Sequence, residues 1–299
     1  MARLCEGRIC IVTGAGRGIG REHSLMLATH GAKIVVNDLG GTMDGEGGST
    51  GPAQEVADEI VAAGGEAVAN TDDISTWDGA ERLVRQAIDT FGGLDVLVNN
   101  AGILRDKTLV KMSEAEWDAV IKVHLKGTAG PSHFAAAYWR DQSKSGAEVS
   151  GRIINTSSPS GIYGNFGQTN YGAAKAGIAA FTIIASMELA GYGVTVNAIA
   201  PAALTRMTEN LGMGQAPDEV KEKMGPQWIA PIITWLASPE SSAVTGRIFD
   251  VTGMRLGVAE GWHIGPTVQP VLDPTAMGPL VEELMGKARS NAAMNGVSK

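Results

Sequence analysis

Short apolar runs rich in β-branched residues recur along most of this chain, and longer stretches with helical spacing separate them. The runs are Ile9–Thr13, Lys33–Asn37, Ala67–Asn70, Asp95–Asn99, Arg152–Thr156, Val194–Ile199 and Ile248–Val251. Alternating strands and helices form a parallel sheet with helices on both faces, because right-handed crossovers bring each strand back beside an earlier one. The sequence therefore predicts an α/β, doubly wound single domain with a seven-stranded parallel sheet.

The regular alternation ends near the last apolar run, which sets the domain boundary. We assign residues 1–252 to the α/β domain and residues 253–299 to a C-terminal extension that packs on this domain or on a neighbouring subunit. Two segments interrupt the alternation. Leu39–Pro52 is rich in glycine and is expected to be a surface loop. Ala202–Asp218 follows the sixth strand, where open α/β sheets bind ligands, and is expected to be a substrate lid.

Composition excludes several classes of protein. The formal net charge is −8 and no block of lysines or arginines is present, so we expect no nucleic-acid partner. No apolar run reaches the roughly 18 residues of a membrane span, and the first residues lack a signal-peptide core, so we expect no membrane partner and a cytoplasmic location. Cys5 and Cys10 flank the first strand and are expected to be free thiols. No metal site is expected.

A glycine-rich turn follows the first strand directly and opens a helical pattern. Glycines in such a turn let a pyrophosphate approach the N-terminus of the helix, where free N–H groups and the helix dipole favour an anion. The strand before the turn and the helix after it supply the context that makes this motif specific for a dinucleotide. The fold is therefore expected to be of the Rossmann type. The turn residues assigned to coenzyme binding are Gly14, Gly16, Arg17, Gly18, Ile19 and Gly20.

Asp38 ends the second strand, where its carboxylate can accept hydrogen bonds from the adenosine ribose and repel a 2′-phosphate. Arg17 opposes this preference, because a guanidinium can pair with that phosphate. We favour NAD, with NADP as the alternative. Other residues at the carboxyl ends of strands are also assigned to coenzyme binding: Asp73, Ile74, Asn100, Ala101, Gly102, Pro201 and Thr205.

Tyr171 and Lys175 are four residues apart in a helical stretch, so their side chains share a face. An ammonium beside a phenol stabilises the phenolate, and together with a positive nicotinamide ring it is expected to lower the pKa of Tyr171 towards 7, at about 4 kcal/mol of differential stabilisation. Ser158 ends the fifth strand and gives the substrate oxygen a second hydrogen-bond partner. We predict that Tyr171 is the general base of an alcohol oxidation or the general acid of a ketone reduction, and that both Tyr171 and Lys175 also contact the coenzyme.

In order and spacing, the glycine turn, Asn99–Gly102, Ser158 and Tyr171-x-x-x-Lys175 resemble the short-chain dehydrogenase/reductase family over about residues 7–252. Val36–Gly41, Asn100–Asp106 and Ser160–Gln168 resemble a narrower group, the (3R)-hydroxyacyl-CoA dehydrogenase part of the type 2 peroxisomal multifunctional enzymes, also described as 17β-hydroxysteroid dehydrogenases. The resemblance implies NAD as coenzyme and an acyl-CoA thioester or a steroid-derived molecule as substrate.

The chain departs from the family pattern at two positions. His124 stands where family members usually carry an asparagine, although the type 2 enzymes are similar in having histidine there. It is a candidate catalytic residue in a proton relay, and the competing interpretation is a buried core histidine. Pro201-Ala202 replaces the usual Pro-Gly, which removes a flexible hinge beside the lid.

Three functions remain open at this point. The first is NAD-linked oxidation of a 3-hydroxyacyl-CoA, and the second is NADPH-dependent reduction of a 3-oxoacyl carrier protein. The third is a protein that senses the coenzyme without turnover. The helix that carries Tyr171 is apolar nearly all round, and a second subunit is the simplest cover for its outer face, so a homodimer or homotetramer is predicted.

Overall fold

Eight strands form one sheet in the computed structural model, which describes residues 3–41, 47, 51–204 and 218–298. The strands are β1 (Ile9–Thr13), β2 (Lys33–Asn37), β3 (Glu66–Asn70), β4 (Val96–Asn99), β5 (Gly151–Thr156), β6 (Val194–Pro201), β7 (Ile248–Thr252) and β8 (Arg255–Val258). Their order is β3-β2-β1-β4-β5-β6-β7-β8. The order reverses between β1 and β4, which creates the crevice where folds of this kind bind ligands.

Helices cover both faces of the sheet. They are α1 (Gly18–Thr29), α2 (Gly51–Ala62), α3 (Trp77–Phe91), α4 (Glu114–Ile121), α5 (Gly127–Lys144), α6 (Pro159–Ile162), α7 (Thr169–Leu189), α8 (Asp218–Lys223), α9 (Ala230–Ala237) and α10 (Met277–Lys287), with a π-helical segment at Lys122–Lys126. One core joins Val12 of β1 to Leu27 of α1 and Ile233 of α9. The other joins Ile11 of β1 to Leu83 of α3. Successive strand residues thus enter opposite cores, as the period of two requires.

The doubly wound α/β fold is confirmed, and the seven predicted strands are present and parallel, but the sheet has an eighth strand that was not predicted. β8 pairs antiparallel with β7, and Thr252 faces Arg255 across a two-residue turn. The prediction failed here because β8 lies at the edge of the sheet and its side chains are mostly exposed. A strand that buries neither face carries no apolar run for sequence reasoning to detect. The C-terminal extension therefore begins within the sheet.

The segments that interrupt the alternation are described in part. Gly51 and Pro52 belong to α2, so the predicted loop Leu39–Pro52 extends two residues too far at its C-terminal end. Proline suits the first turn of a helix, because its missing N–H would have no partner there. Of the predicted lid, Ala202–Leu204 and Asp218 are described, and residues 205–217, with Thr205, lie outside the described residues.

Helix α7 is both long and apolar. The stretch Thr169–Tyr192 is the single helix in the described chain whose length and mean hydropathy of 1.4 would suffice to cross a membrane. It packs against β5, β6 and α6, and Ile178 is buried there. These contacts explain its inner apolar face as one layer of the α/β domain.

Candidate active site

A cavity of about 530 Å³ opens at the carboxyl ends of the strands around the crevice between β1 and β4. The predicted site residues on its wall are Gly14, Arg17, Gly18, Ile19, Gly20, Asp38, Asp73, Ile74, Asn100, Ala101, Gly102, His124, Ser158, Tyr171, Lys175 and Pro201. The fold thus brings together residues that lie up to 187 positions apart in the sequence. Gly16 does not line the cavity and contributes through a backbone hydrogen bond instead.

The glycine turn is shaped by close contacts that side chains would block. Gly14 has φ of +63°, and a Cβ there would lie 2.6 Å from the Cα of Ala101. A Cβ on Gly20 would collide with the carbonyl of Gly14. Arg17 precedes α1 without forming a side-chain cap, so the first N–H groups of α1 have no side-chain acceptor at this position. The result is a backbone cradle that fits an anionic pyrophosphate.

Asn100 fixes this cradle to the end of β4. Its Nδ2 donates hydrogen bonds to the carbonyls of Thr13 at 3.0 Å and Gly14 at 3.1 Å, and its backbone N–H donates to Oγ1 of Thr13 at 3.0 Å. The N–H of Ala101 donates to the same hydroxyl at 3.1 Å. Asn100 therefore positions the glycine turn from behind as well as lining the cavity.

The Asp38 carboxylate lies at the β2 end of the cavity. Oδ2 accepts a hydrogen bond from the N–H of Gly16 at 2.9 Å, and Oδ1 accepts one from the N–H of Gly40 at 2.7 Å. A carboxylate has about four acceptor positions, so each oxygen keeps one for a ribose hydroxyl. The cradle and this carboxylate together fit an adenine dinucleotide.

The end of β3 contributes a short, well-fixed segment to the wall. Oδ1 of Asp73 accepts hydrogen bonds from the N–H and the hydroxyl of Ser75, which makes a local turn. Ile74 is buried, and Asp72, which sequence reasoning did not single out, also lines the cavity. Asp72 accepts a hydrogen bond from Nε of Arg82 at 2.7 Å, so a structural role accounts for its charge.

Tyr171 and Ser158 meet at the other end of the cavity. Ser158 begins α6, where its Oγ accepts a hydrogen bond from the N–H of Ser160 at 3.1 Å. The side chain of Ser158 is near enough to Tyr171 to lower the pKa of the phenol. Because Ser158 follows the end of β5 by two residues and Tyr171 lies in the first turn of α7, the loop between them folds the two hydroxyls onto the same wall. The pair offers two hydrogen-bonding groups to one substrate oxygen.

Burial dominates the electrostatics of Tyr171 in the absence of coenzyme. It raises the pKa of Tyr171 to about 12; the nearby Ser158 side chain opposes this, and the negative charge of Asp106 adds to it. Burial also lowers the pKa of Lys175 to about 7, and this side chain is 2% exposed. Protein groups alone therefore favour a neutral phenol beside a half-charged amine. The predicted pKa near 7 included the positive nicotinamide ring of a bound coenzyme and stays a prediction, because that ring would have to offset the desolvation of the phenol.

His124 lies in the π-helical segment and is 1% exposed. Its Nε2 lies 3.1 Å from the nitrogen and 2.8 Å from the carbonyl oxygen of Ile103, and its ring meets that of Tyr171 edge-on at a centroid distance of 5.1 Å. Burial keeps the pKa of His124 well below its usual value, and the charge of Lys175 lowers it too. The imidazole is therefore neutral, and its buried Nδ1 has no hydrogen-bond partner among the described residues.

Sequence reasoning missed several residues of the cavity wall, above all Asn165, Gln168 and Met294. Gln168 is held on both sides of its amide, since Nε2 donates to Asp106 at 2.7 Å and Oε1 accepts from Ser160 at 2.7 Å. Gln168 precedes Tyr171 by three residues, and its polar side chain just before the helix was a signal that could have been used. Met294 follows the last strand of the sheet by 36 residues and carries no comparable signal.

Comparisons with known proteins find matches in both sequence and fold. The family model described as short chain dehydrogenase matches residues 8–216. A hydroxyacyl-CoA dehydrogenase of Mycobacterium tuberculosis is 44% identical over 268 residues, which cover 87% of this chain and 81% of that protein. Peroxisomal multifunctional enzyme type 2 of Drosophila melanogaster is 43% identical over 290 residues, or 96% of this chain but 45% of that longer protein. The crystal structure of a short chain dehydrogenase from Mycobacterium avium superposes with a TM-score of 0.87 at 50% identity, covering 97% of this chain and 98% of the other.

Proposed function

This chain is a member of the short-chain dehydrogenase family, an oxidoreductase acting on CH–OH groups, and we propose that it transfers a hydride between NAD and the 3-hydroxyl or 3-oxo group of an acyl-CoA. The observation that carries the proposal is that Tyr171 and Ser158 share the wall of one cavity with the glycine turn. One cavity thus joins a dinucleotide cradle to a proton-transfer group.

The proposed reaction uses the side chains as follows. In oxidation, the substrate hydroxyl gives its proton to the Tyr171 phenolate while the hydrogen on the same carbon leaves with its electron pair. NAD, when bound, supplies the acceptor for that hydride. The Ser158 hydroxyl hydrogen-bonds to the substrate oxygen and holds it near Tyr171. Reduction runs through the same groups in reverse, with the Tyr171 phenol as the proton donor.

Asp38 supports NAD rather than NADP as the coenzyme. Its carboxylate stands at the β2 end of the cavity, and a ribose 2′-phosphate there would meet like charge. Arg17 lines the same part of the cavity and favours the phosphate. We give more weight to Asp38, because backbone N–H groups from Gly16 and Gly40 fix its position.

An acyl-CoA suits the substrate side of the cavity. Ile103, Leu104 and Val123 give this side apolar surface. The exposed cations Lys107 and Lys111 follow in the same segment, where they can meet the phosphates of CoA. The similarity to a hydroxyacyl-CoA dehydrogenase supports this substrate class for the present chain.

A second candidate function follows from Arg17. If the attraction of this guanidinium for a ribose 2′-phosphate outweighs the repulsion by Asp38, the enzyme would use NADPH to reduce a 3-oxoacyl carrier protein. A steroid-derived alcohol is a further substrate within the first reaction class. A coenzyme-sensing protein without turnover is disfavoured, because such a protein would have no need for the paired hydroxyls of Ser158 and Tyr171.

A substrate and coenzyme screen tests the proposal. Purified protein is mixed with NAD or NADP and with 3R- and 3S-hydroxyacyl-CoAs of short, medium and long chain, a 3-hydroxyacyl carrier protein and a hydroxysteroid, and absorbance of the reduced coenzyme is followed. We expect the highest kcat/KM with NAD and an acyl-CoA. Preference for NADP and the carrier protein would select the second function, and no turnover with any pair would contradict both.

A further inference from the structure

The C-terminal extension leaves the domain after β8 and then returns to the cavity. Between these points Trp262 is 99% exposed, and α10 has no buried residue. The chain then folds back so that Met294 joins the cavity wall. A segment with so few contacts of its own needs a specific attachment to hold one residue at the site.

We propose that Met294 is a substrate-specificity residue, held on the cavity wall by an attachment that links Asp250 and Arg255 of the sheet to the C-terminal hairpin (Ala292–Ser298). This inference rests on the proposed dehydrogenase function and adds to it the element that selects the apolar part of the substrate.

The C-terminal hairpin is internally ordered. Ala292 and Ser298 form an antiparallel bridge, and the N–H of Ala293 donates to the carbonyl of Val297 at 2.9 Å. The N–H of Gly296 donates to the carbonyl of Ala293 at 2.8 Å, and Gly296 has φ of +76°, which favours glycine in the turn. Met294 therefore lies on a closed turn rather than on a free end.

Arg255 attaches this hairpin to the sheet. Its Nη1 donates a hydrogen bond to the carbonyl of Asn295 at 2.6 Å, and its Nη2 contacts both carboxylate oxygens of Asp250 at 2.9 Å. Asp250 is 4% exposed and lies in β7, next to β8. Hydrogen bonds with an ionised partner are stronger than neutral ones, and the buried carboxylate fixes the guanidinium that holds the residue after Met294.

The same carboxylate links the hairpin to the segment after Ser158. The hydroxyl of Tyr163 donates to Oδ2 of Asp250 at 3.2 Å. Gly296 lies so close to Tyr163 that a Cβ there would be 3.0 Å from its hydroxyl oxygen. Three segments therefore meet at Asp250: the edge of the sheet, the chain just after α6 and the C-terminal hairpin.

This position places Met294 on the substrate side of the cavity. Asp250 pairs with Ala200 of β6, the residue before Pro201 on the cavity wall. Asp38 directly follows β2, which lies on the other side of β1 from β6. Methionine is unbranched and adapts to irregular apolar surfaces. Met294 would thus contact the apolar chain near the reacting carbon and set the size of group that fits.

The test combines kinetics with hydrogen exchange on the full chain. Met294→Ala, Arg255→Met and the control Arg289→Met, which changes an exposed arginine in the same extension, are assayed with NAD and acyl-CoAs of increasing chain length. We expect Met294→Ala and Arg255→Met to change the ratio of kcat/KM for long over short substrates by about tenfold, the size of effect that a few methylene contacts produce, with the KM for NAD unchanged. Arg289→Met should match the wild type.

Hydrogen exchange followed by mass spectrometry checks the attachment without any substrate. In Arg255→Met the amides of Ala293, Gly296 and Val297 should exchange faster than in the wild type, and in Arg289→Met they should not. An unchanged substrate ratio in Met294→Ala would overturn the specificity role, and unchanged exchange in Arg255→Met would overturn the attachment. Wild-type protein that turns over no substrate would instead overturn the proposed function and with it the role of Met294. Hydrogen exchange would still test whether Arg255 attaches the C-terminal hairpin.

Discussion

The Nζ of Lys175 lies 5.6 Å from the centroid of the Tyr171 ring and donates its hydrogen bond to the carbonyl of Thr156 at 2.6 Å. The amine is thus anchored to the end of β5. Since burial lowers its pKa to about 7, it carries only part of a positive charge near neutral pH. Formation of the Tyr171 phenolate therefore depends on every other charge in the cavity, including the positive nicotinamide ring that NAD brings when it binds.

Asp106 is the charge that opposes the phenolate. Its carboxylate raises the pKa of Tyr171, and its own pKa is raised by burial although a hydrogen bond from Gln168 opposes that shift. Asp106→Asn removes the like charge and keeps the shape. The pKa of Tyr171 should fall, so the rising limb of kcat/KM for alcohol oxidation should move to lower pH.

A pH–rate profile of Asp106→Asn beside Asp118→Asn, an exposed change on α4, measures this shift. The other charged or titratable neighbours, namely Lys175, His124, Arg105 and Lys107, are unchanged in both variants. A profile that coincides with the wild type would show that Asp106 does not act on the phenol.

The coenzyme preference should depend on Asp38. Asp38→Asn removes the negative charge that faces the ribose while leaving Arg17 in place, so the ratio of kcat/KM for NADP over NAD should rise by about tenfold, equivalent to about 1.4 kcal/mol. Asp78→Asn, on α3, is the control. Steady-state kinetics with both coenzymes give the ratio. An unchanged ratio in Asp38→Asn would mean that another group distinguishes the ribose 2′-hydroxyl from a 2′-phosphate.

Gly102 and His124 should be energetically coupled. A Cβ on Gly102 would collide with Cε1 of the His124 ring. Gly102→Ala should therefore reduce the free energy of unfolding by about 1–3 kcal/mol, as overpacking of a core does. In a His124→Ala background the same change should cost at least about 1 kcal/mol less.

Urea denaturation of the two single variants and the double variant gives this coupling. Gly286→Ala, in the exposed helix α10, is the control, because a Cβ there meets no atom within 4 Å. If the losses of unfolding free energy in the two single variants simply add in the double variant, the His124 ring moves aside without cost.

The outer face of α7 should form a subunit interface. Met187 is 72% exposed and Ile184 is 54% exposed on this helix. Light scattering should report a dimer or a tetramer, and Met187→Glu should shift the protein towards the monomer, since a charge buried in an apolar interface is costly. Val61→Glu, on α2, should leave the mass unchanged, and a monomeric wild type at micromolar concentration would contradict the prediction.

The sequence predicted the buried framework well because burial leaves a periodic signal. The strand before Gly14 and the helix after Gly20 are both found, and Asn100, Ser158 and Tyr171 come together because the ends of parallel strands share one edge. Strand β8 was missed because an exposed edge strand has no such period.

Two features of the site lay beyond sequence reasoning for a different reason. The pKa of Tyr171 depends on desolvation by the whole surrounding fold, which the spacing from Lys175 does not reveal. The approach of Met294 to the cavity depends on the path of an extension that buries little surface and on its attachment through Arg255, neither of which leaves a periodic signal in the sequence.

The hydroxyl of Tyr171 should transfer the substrate proton, and Tyr171→Phe removes this hydroxyl while keeping the ring. The measurement is kcat for the best substrate of the screen, with NADH binding measured in parallel and Tyr192→Phe as the matched control. We expect kcat to fall by a factor of about 10²–10⁴ in Tyr171→Phe while NADH still binds and the control keeps wild-type activity. Full turnover by Tyr171→Phe would show that another group transfers the proton.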